Sequence, residues 1–394
     1  MRLSSGGIGV VRGISAGLFV MALLTAGPQA QKNAPKPDPK IDAAAQAQAM
    51  AQQQEIQTLV RLADSAMSGQ TAPADFPIQF QNDFLKAQGS RVWVPIILTL
   101  DPAKVASPAL TLYLRVVPRG MTAPPAAPAP AAAPADKNAK DSKDKDKKKD
   151  QKGPATAAPP PAAPAYPYED ASVLDLKPVP GQPLRIQRGI GVPAGSYDLY
   201  IALHERVAAP AGAAPAAGAP AAAGGKTSVL KQPLDVPNFA GEFSTSTVIL
   251  AERVDPLTAP ITPDQQSEHP YAFGKTEIIK SPDHKFKKAQ ELIVLLQIYN
   301  PMLTPEKKFN LEATYTFYRQ DAGTEKRFNS TEPQTFSSET MGEGFDPSGN
   351  SSIQAGQGVP LQSFPEGTYR LEIKITDKLN AKVLTQNANF TVTP

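Results

Sequence analysis

The chain has 394 residues, a formal charge of +3, no cysteine and 42 prolines. Near-balanced charge gives no electrostatic case for a nucleic-acid partner, and without cysteine there is no disulfide or lipid-modified cysteine anchor, so stability has to come from packed cores. The length suits two or three domains, but long Ala/Pro tracts remove much of the chain from any core.

Residues 1–30 carry Arg2 and Arg12 ahead of an apolar run from Ile14 to Leu24, with small residues after it. That is the plan of a secretory signal peptide, cut between Ala26 and Gln31. The run is too short for a span of about 20 residues, and no later segment approaches that length without charges. An exported protein, periplasmic or extracellular at the cell surface, with no transmembrane segment in its mature part is expected. Residues 31–41 form a Pro/Lys linker. An Ala/Gln-rich helix follows over 42–69, with Asp42 as N-cap and Gly69 as stop. Ile56, Leu59, Val60, Ala63 and Met67 share one face, so its second half should dock.

The first β region is expected over 75–254. Phe76, Ile78 and Phe80 alternate; Val92 to Leu100 is nearly continuous apolar; Leu110 to Val117 alternates. Insertions at 121–165 and 208–225 are Ala/Pro-rich, the first enclosing a Lys/Asp run from Asp136 to Lys152. Such composition buries too little apolar surface to offset the entropy of ordering and reads as solvated, disordered chain. Ala171 to Leu176 and Pro183 to Ile186 add short strands. Thr245 to Val254 is a further strand, which either completes the first sandwich or bridges to the second.

Much of the chain then recurs. Val192, Pro193, Gly195, Ser196, Tyr197, Leu199, Ile201 and Leu203 return at the same spacing as Phe364, Pro365, Gly367, Thr368, Tyr369, Leu371, Ile373 and Ile375. Pro and Gly two positions apart mark a turn, and strict alternation after it marks a half-buried strand. Leu292 to Tyr299 and Leu311 to Tyr318 repeat the two strands further upstream. Residues 255–270, with four prolines, read as an interdomain linker, and 271–394 as the second β region. The fold class expected is mainly β: two tandem Ig-like antiparallel β-sandwiches, an internal duplication, preceded by a signal peptide and the helix. Tyr197 and Tyr369 enter a strand just after the turn, the position of the tyrosine corner of Ig-like sandwiches. Both are also consistent with ordinary core aromatics, and either role is structural. Pro193, Gly195, Tyr197, Pro365, Gly367 and Tyr369 are thus candidate structural residues.

Chemistry-bearing patterns are sparse. His204, His269 and His284 do not have zinc-motif spacing. There is no Gly-x-Ser-x-Gly elbow. Gly189, Gly191 and Gly195 resemble a phosphate loop but precede a strand, where a dinucleotide fingerprint must open a helix; they read as turn glycines. Asp346, Ser348 and Asn350 approach a metal-site motif, with Asn350 in place of its last serine, and read as a loop. Trp93, the only tryptophan, lies in an apolar strand and reads as core. No catalytic, cofactor-binding or metal residue is assigned, no cofactor is expected, and the chain is not expected to be an enzyme.

Leu361 to Val392, with Pro365, Gly367 and Tyr369, resembles modules of secreted bacterial proteins related to von Willebrand factor A domains or to the Gly-Trp-x-Thr-Asp group. The naming motifs are absent: Trp93 is followed by Val94 and Pro95, and the metal motif departs at Asn350. The resemblance implies a sandwich accessory module and transfers no activity. The expectation is a non-catalytic exported binding or assembly module of the bacterial envelope, whose partner is an envelope or extracellular protein, or a glycan. Two alternatives stand beside it: an accessory carbohydrate- or peptide-binding protein of extracellular degradation, in the extreme a weak hydrolase, and an envelope-polymer tether using the low-complexity tracts.

Overall fold

The computed structural model describes residues 39–87, 89–121, 166–206, 225–321, 323–342, 345–347 and 352–394. The expected signal peptide, most of the 31–41 linker and nearly all of the two insertions lie outside the described residues, as do Ser348 and Asn350.

Helix α1 spans Pro39–Met67. It begins before Asp42, which therefore lies inside the helix and does not cap it; Pro39 suits a first turn, where its missing N–H costs nothing. The helix ends where expected, with the N–H groups of Gly69 and Gln70 donating to the Ala66 and Ser65 carbonyls at 3.1 and 3.0 Å. Its second half docks: Leu59, Ala63 and Met67 are buried against Tyr113, Val117, Tyr200 and Ala202. Burying each large apolar side chain contributes about 1.5–3 kcal/mol.

Eight strands form the first half: β1 (Gln79–Asn82), β2 (Leu85–Lys86), β3 (Arg91–Leu100), β4 (Ala109–Pro118), β5 (Tyr168–Asp175), β6 (Leu184–Pro193), β7 (Gly195–Glu205) and β8 (Thr227–Val236). One sheet sets β1 and β2 against successive parts of β3, and β3 against β6; the other runs β5-β4-β7-β8, all antiparallel. Apolar residues facing inward from both sheets, such as Val94, Ile96, Leu112, Leu114, Leu199 and Ile201, make one core. Between them on β4 and β7, Tyr113, Val117, Tyr200 and Ala202 point the other way, because successive strand side chains alternate faces. That outer face is apolar too, which is why α1 covers it.

The second half has twelve strands: β9 (Ser244–Thr245), β10 (Ile249–Pro256), β11 (Ala272–Phe273), β12 (Thr276–Lys280), β13 (Lys285–Lys287), β14 (Glu291–Tyr299), β15 (Asn310–Asp321), β16 (Thr324–Ser330), β17 (Gln334–Ser337), β18 (Ile353–Pro360), β19 (Gly367–Asp377) and β20 (Val383–Thr393). One sheet is ordered β11-β12-β10-β14-β18 with β9 on β14; the other is β13-β20-β19-β15-β16 with β17 on β15. Only the β13–β20 pair is parallel among the described strands. Val294, Leu296, Tyr315, Phe317, Leu371 and Ile373 belong to its core.

The same pairing scheme occurs twice. β3–β6, β4–β5, β4–β7 and β7–β8 correspond to β14–β18, β15–β16, β15–β19 and β19–β20, and the broken strand β1/β2 corresponds to β9/β10, which differs in carrying β12 on its other side. β18 was not legible from its Gln/Gly-rich sequence. The chain is mainly β, built as packed antiparallel sheets.

Three boundaries differ from expectation. The strand in Thr245 to Val254 pairs with β14, so it belongs to the second half. Residues 255–270 then connect strands of one sheet and are not an interdomain linker; the crossing falls just before Ser244. Prolines mark the break in the chain but carry no information about which sheet receives the strands flanking it. Finally, Gly189 and Gly191 lie within β6, opposite Pro95 and Trp93, and are not turn residues.

Candidate functional site

Both repeated turns adopt the backbone that only glycine takes readily: φ is +154° at Gly195 and +142° at Gly367. After the second turn, the Tyr369 hydroxyl donates to the Pro365 carbonyl at 2.7 Å, tying the strand entry to the turn four residues back. Its ring stacks on Phe390 at 5.3 Å. Tyr197 is buried in the first core, and its hydroxyl lies over Gly195, where a Cβ would come within 3.0 Å of it. The six residues thus lie at two turn-to-strand entries, and the hydroxyl-to-turn bond is seen at Tyr369.

Those groups lie where the halves meet. Leu85 and Ile97 pack with Ile249 and Tyr271, and Trp93 and Leu295 close around them. Trp93 is thus half-buried at this seam, on the outer face of its sheet and not in the sandwich core; its indole N–H donates to the Pro270 carbonyl at 3.0 Å. Gly189 makes room for it, since a Cβ there would stand 2.0 Å from the indole ring. The Ser267 hydroxyl donates to the Gly189 carbonyl at 3.1 Å, and the Gly189 N–H donates to the Ser267 carbonyl at 2.7 Å. The 255–270 loop thereby covers the edge of β6 that would otherwise be open.

The two broken strands, β1/β2 and β9/β10, face each other across the seam. At the β1–β2 break, the Phe84 N–H donates to Thr247 Oγ1 at 3.0 Å; at the β9–β10 break, the Thr247 N–H donates to the Phe84 carbonyl at 3.1 Å. Beside them the carboxylate of Asp83 is saturated. It accepts from Lys280 Nζ at 2.6 Å, from the Tyr271 hydroxyl and from Thr247 Oγ1 at 3.0 Å. Burial, with the Asp83 charge beside it, holds the Tyr271 phenol well above its ordinary pKa. A buried carboxylate needs such partners, because desolvation of an unpaired charge is costly. The arrangement positions and rigidifies.

A second charged cluster pins α1. Arg115 of β4, 3% exposed, pairs with Asp64 of the helix and with Glu169 of β5 at 2.9 Å, and lies 4.4 Å from the Tyr166 ring centroid. Tyr113 donates to the same Glu169 carboxylate.

The three histidines are separate. His204 Nδ1 meets Thr227 Oγ1 at 2.7 Å; His269 Nδ1 meets Glu277 at 2.9 Å; His284 is half-buried, its Nε2 without a hydrogen-bond partner. Asp346 pairs with Lys307 at 3.3 Å.

One open cleft of about 270 Å³ runs along the seam. It is lined by Leu174 and Leu176, by Arg185, Gln187 and Arg188 of β6, and by Glu268, His269 and Glu277. Sequence reasoning missed both the cleft and the Asp83–Lys280 pair. A carboxylate between Asn82 and Phe84, and a lysine after Ile278 and Ile279, were the available signals. No family model matches the chain, and no curated protein matches it either.

Proposed function

We propose that this chain is a non-catalytic exported binding or assembly module of the bacterial envelope: two Ig-like sandwiches, arisen by duplication, acting as one rigid body. The observation that carries this reading is the seam. A saturated, buried Asp83–Lys280 pair and a dedicated apolar cluster hold the halves in one orientation, which fixes the loops, the strand edges and the cleft relative to one another. A scaffold that presents several surfaces in fixed geometry suits recognition, since loops and edges held by a rigid frame bind with less ordering cost. The charged groups of the interior serve this frame.

A second reading, an accessory protein that binds a carbohydrate or peptide during extracellular degradation, is favoured by the open cleft. It shares the same scaffold and differs in what is bound.

Deleting everything before Asp75 is a poor test, because it strips the cover from Tyr113 and Tyr200. Photo-crosslinking residues placed singly at Met50, Glu268 and Phe328 of the full chain, each on the surface, test the reading in living cells. Reproducible capture of one envelope component from one position, with the others blank, is expected; uniform capture or none at all positions overturns it. Fractionation of the same cells reads the location, and recovery only in the cytoplasm removes the export claim.

A further inference from the structure

We propose that the seam cleft is a binding site for a carboxylate that carries a short apolar group, with Arg185 recognising the charge and Leu174 and Leu176 receiving the apolar part. This deepens the binding-module reading by naming a ligand class for one of its surfaces.

Charge accounting within the cleft leads to it. Arg188 is paired with Glu268, 3.6 Å away, and Glu277 is held by a hydrogen bond with His269 Nδ1 at 2.9 Å. Arg185 has no ion pair among the described residues. One of its nitrogens, Nη2, donates to the Lys280 carbonyl at 3.1 Å, while Nε is buried and makes no hydrogen bond. Glu252 attracts it only through space. A guanidinium partly withdrawn from water with a donor unmet favours a planar anion that accepts two hydrogen bonds, which describes a carboxylate. Burial lowers the Arg185 pKa from its ordinary value, and the attraction of Glu252 does not restore it.

The rest of the lining limits what the anion is attached to. Leu174 and Leu176 line the same cleft as Arg185 and Ile186, so a carboxylate bearing a branched alkyl group meets both needs. The volume of about 270 Å³ is below the usual range for drug-sized ligands and suits one residue or a small acid. Glu268 and Glu277 in the lining disfavour ligands with a second negative charge. A peptide C-terminus with an apolar last residue and a free short-chain acid share this chemistry.

The test is a titration of the isotope-labelled full mature chain, followed by amide shifts near residues 174–188 and 268–277. The probes are N-acetyl-leucine, isovalerate, N-acetyl-leucinamide and sulfate. Saturable shifts with the two acids and none with the amide are expected. Binding of N-acetyl-leucine at least five-fold tighter than isovalerate assigns a peptide terminus, and equal binding assigns a free acid. Arg185→Gln should weaken both acids at least ten-fold. Because that residue is partly interior, Gln187→Glu serves as an isosteric second variant that adds repulsion in the cleft and should give a similar loss, while Lys374→Ala on a distant strand changes nothing. Equal binding of the amide, equal competition by sulfate, no saturation with either acid, or full affinity in Gln187→Glu overturns the assignment. A cleft that binds neither acid in a chain that still crosslinks one envelope component removes the cleft ligand and leaves the module reading intact.

Discussion

Asp83 and Lys280, 197 residues apart, meet at 2.6 Å with side chains 4% and 5% exposed. One lies in the break of an edge strand of the first half and the other at the end of β12 in the second, so their ion pair exists only when the halves are joined. Removing one partner leaves the other charge buried. Asp83→Ala should cost about 3–5 kcal/mol, and denaturant unfolding of the variant should separate into two transitions as the halves lose their coupling. A single transition at the wild-type midpoint would show that the pair does not hold the seam.

Trp93 makes that seam visible. It is the only tryptophan, and it sits over Gly189, where a Cβ would stand 2.0 Å from its ring. Gly189→Ala should displace the ring and cost about 1–3 kcal/mol by overpacking. Emission of Trp93 should shift to the red as water reaches the indole, and the loop around Ser267 should lose amide protection. An unshifted spectrum would place the strain elsewhere.

Arg115 is the polar link between α1 and the sheet it covers. Hydrogen bonds to charged groups contribute about 1.5–3 kcal/mol, and Asp64 and Glu169 are partly solvated, which places Arg115→Met toward the lower end of that range. Hydrogen exchange should quicken across 50–67 more than in β3 or β14. Equal quickening everywhere would mean that the helix and sandwich open as one unit.

His284 supplies a pH dependence. Burial and the Lys280 charge push its pKa below the ordinary value, with Asp83, Asp283 and a backbone hydrogen bond at Asn389 pulling the other way. The unfolded chain therefore takes up a proton near pH 6.5 while the folded chain stays neutral to lower pH. Stability contributed by the neutral ring is complete above about pH 6.5 and declines as pH falls toward the folded value. As pH falls below about 6.5, His284→Gln should flatten the fall in unfolding free energy relative to wild type. Identical slopes would show that the ring is solvated.

The elements were legible where a local pattern carries them. The alternation in β4, β7, β15 and β19, the Pro/Gly turns and the apolar stripe of α1 are all visible within a dozen residues, because side-chain period and turn chemistry are properties of neighbouring residues. β18, with Gly356 and Gly358 in its middle, lacks that signal and forms only because β14 offers it eight paired positions.

By itself, the sequence determined a mainly β chain with a repeated turn and strand, and a helix with one face to bury. Only the tertiary structure decided that β9 and β10 join the second half, that Trp93 and Gly189 belong to a seam, and that Asp83 finds Lys280. Arg185, Glu268 and Glu277 likewise become a cleft only through packing. Periodicity encodes which side of a strand faces a core, whereas contact between residues far apart in the chain depends on how two finished surfaces fit.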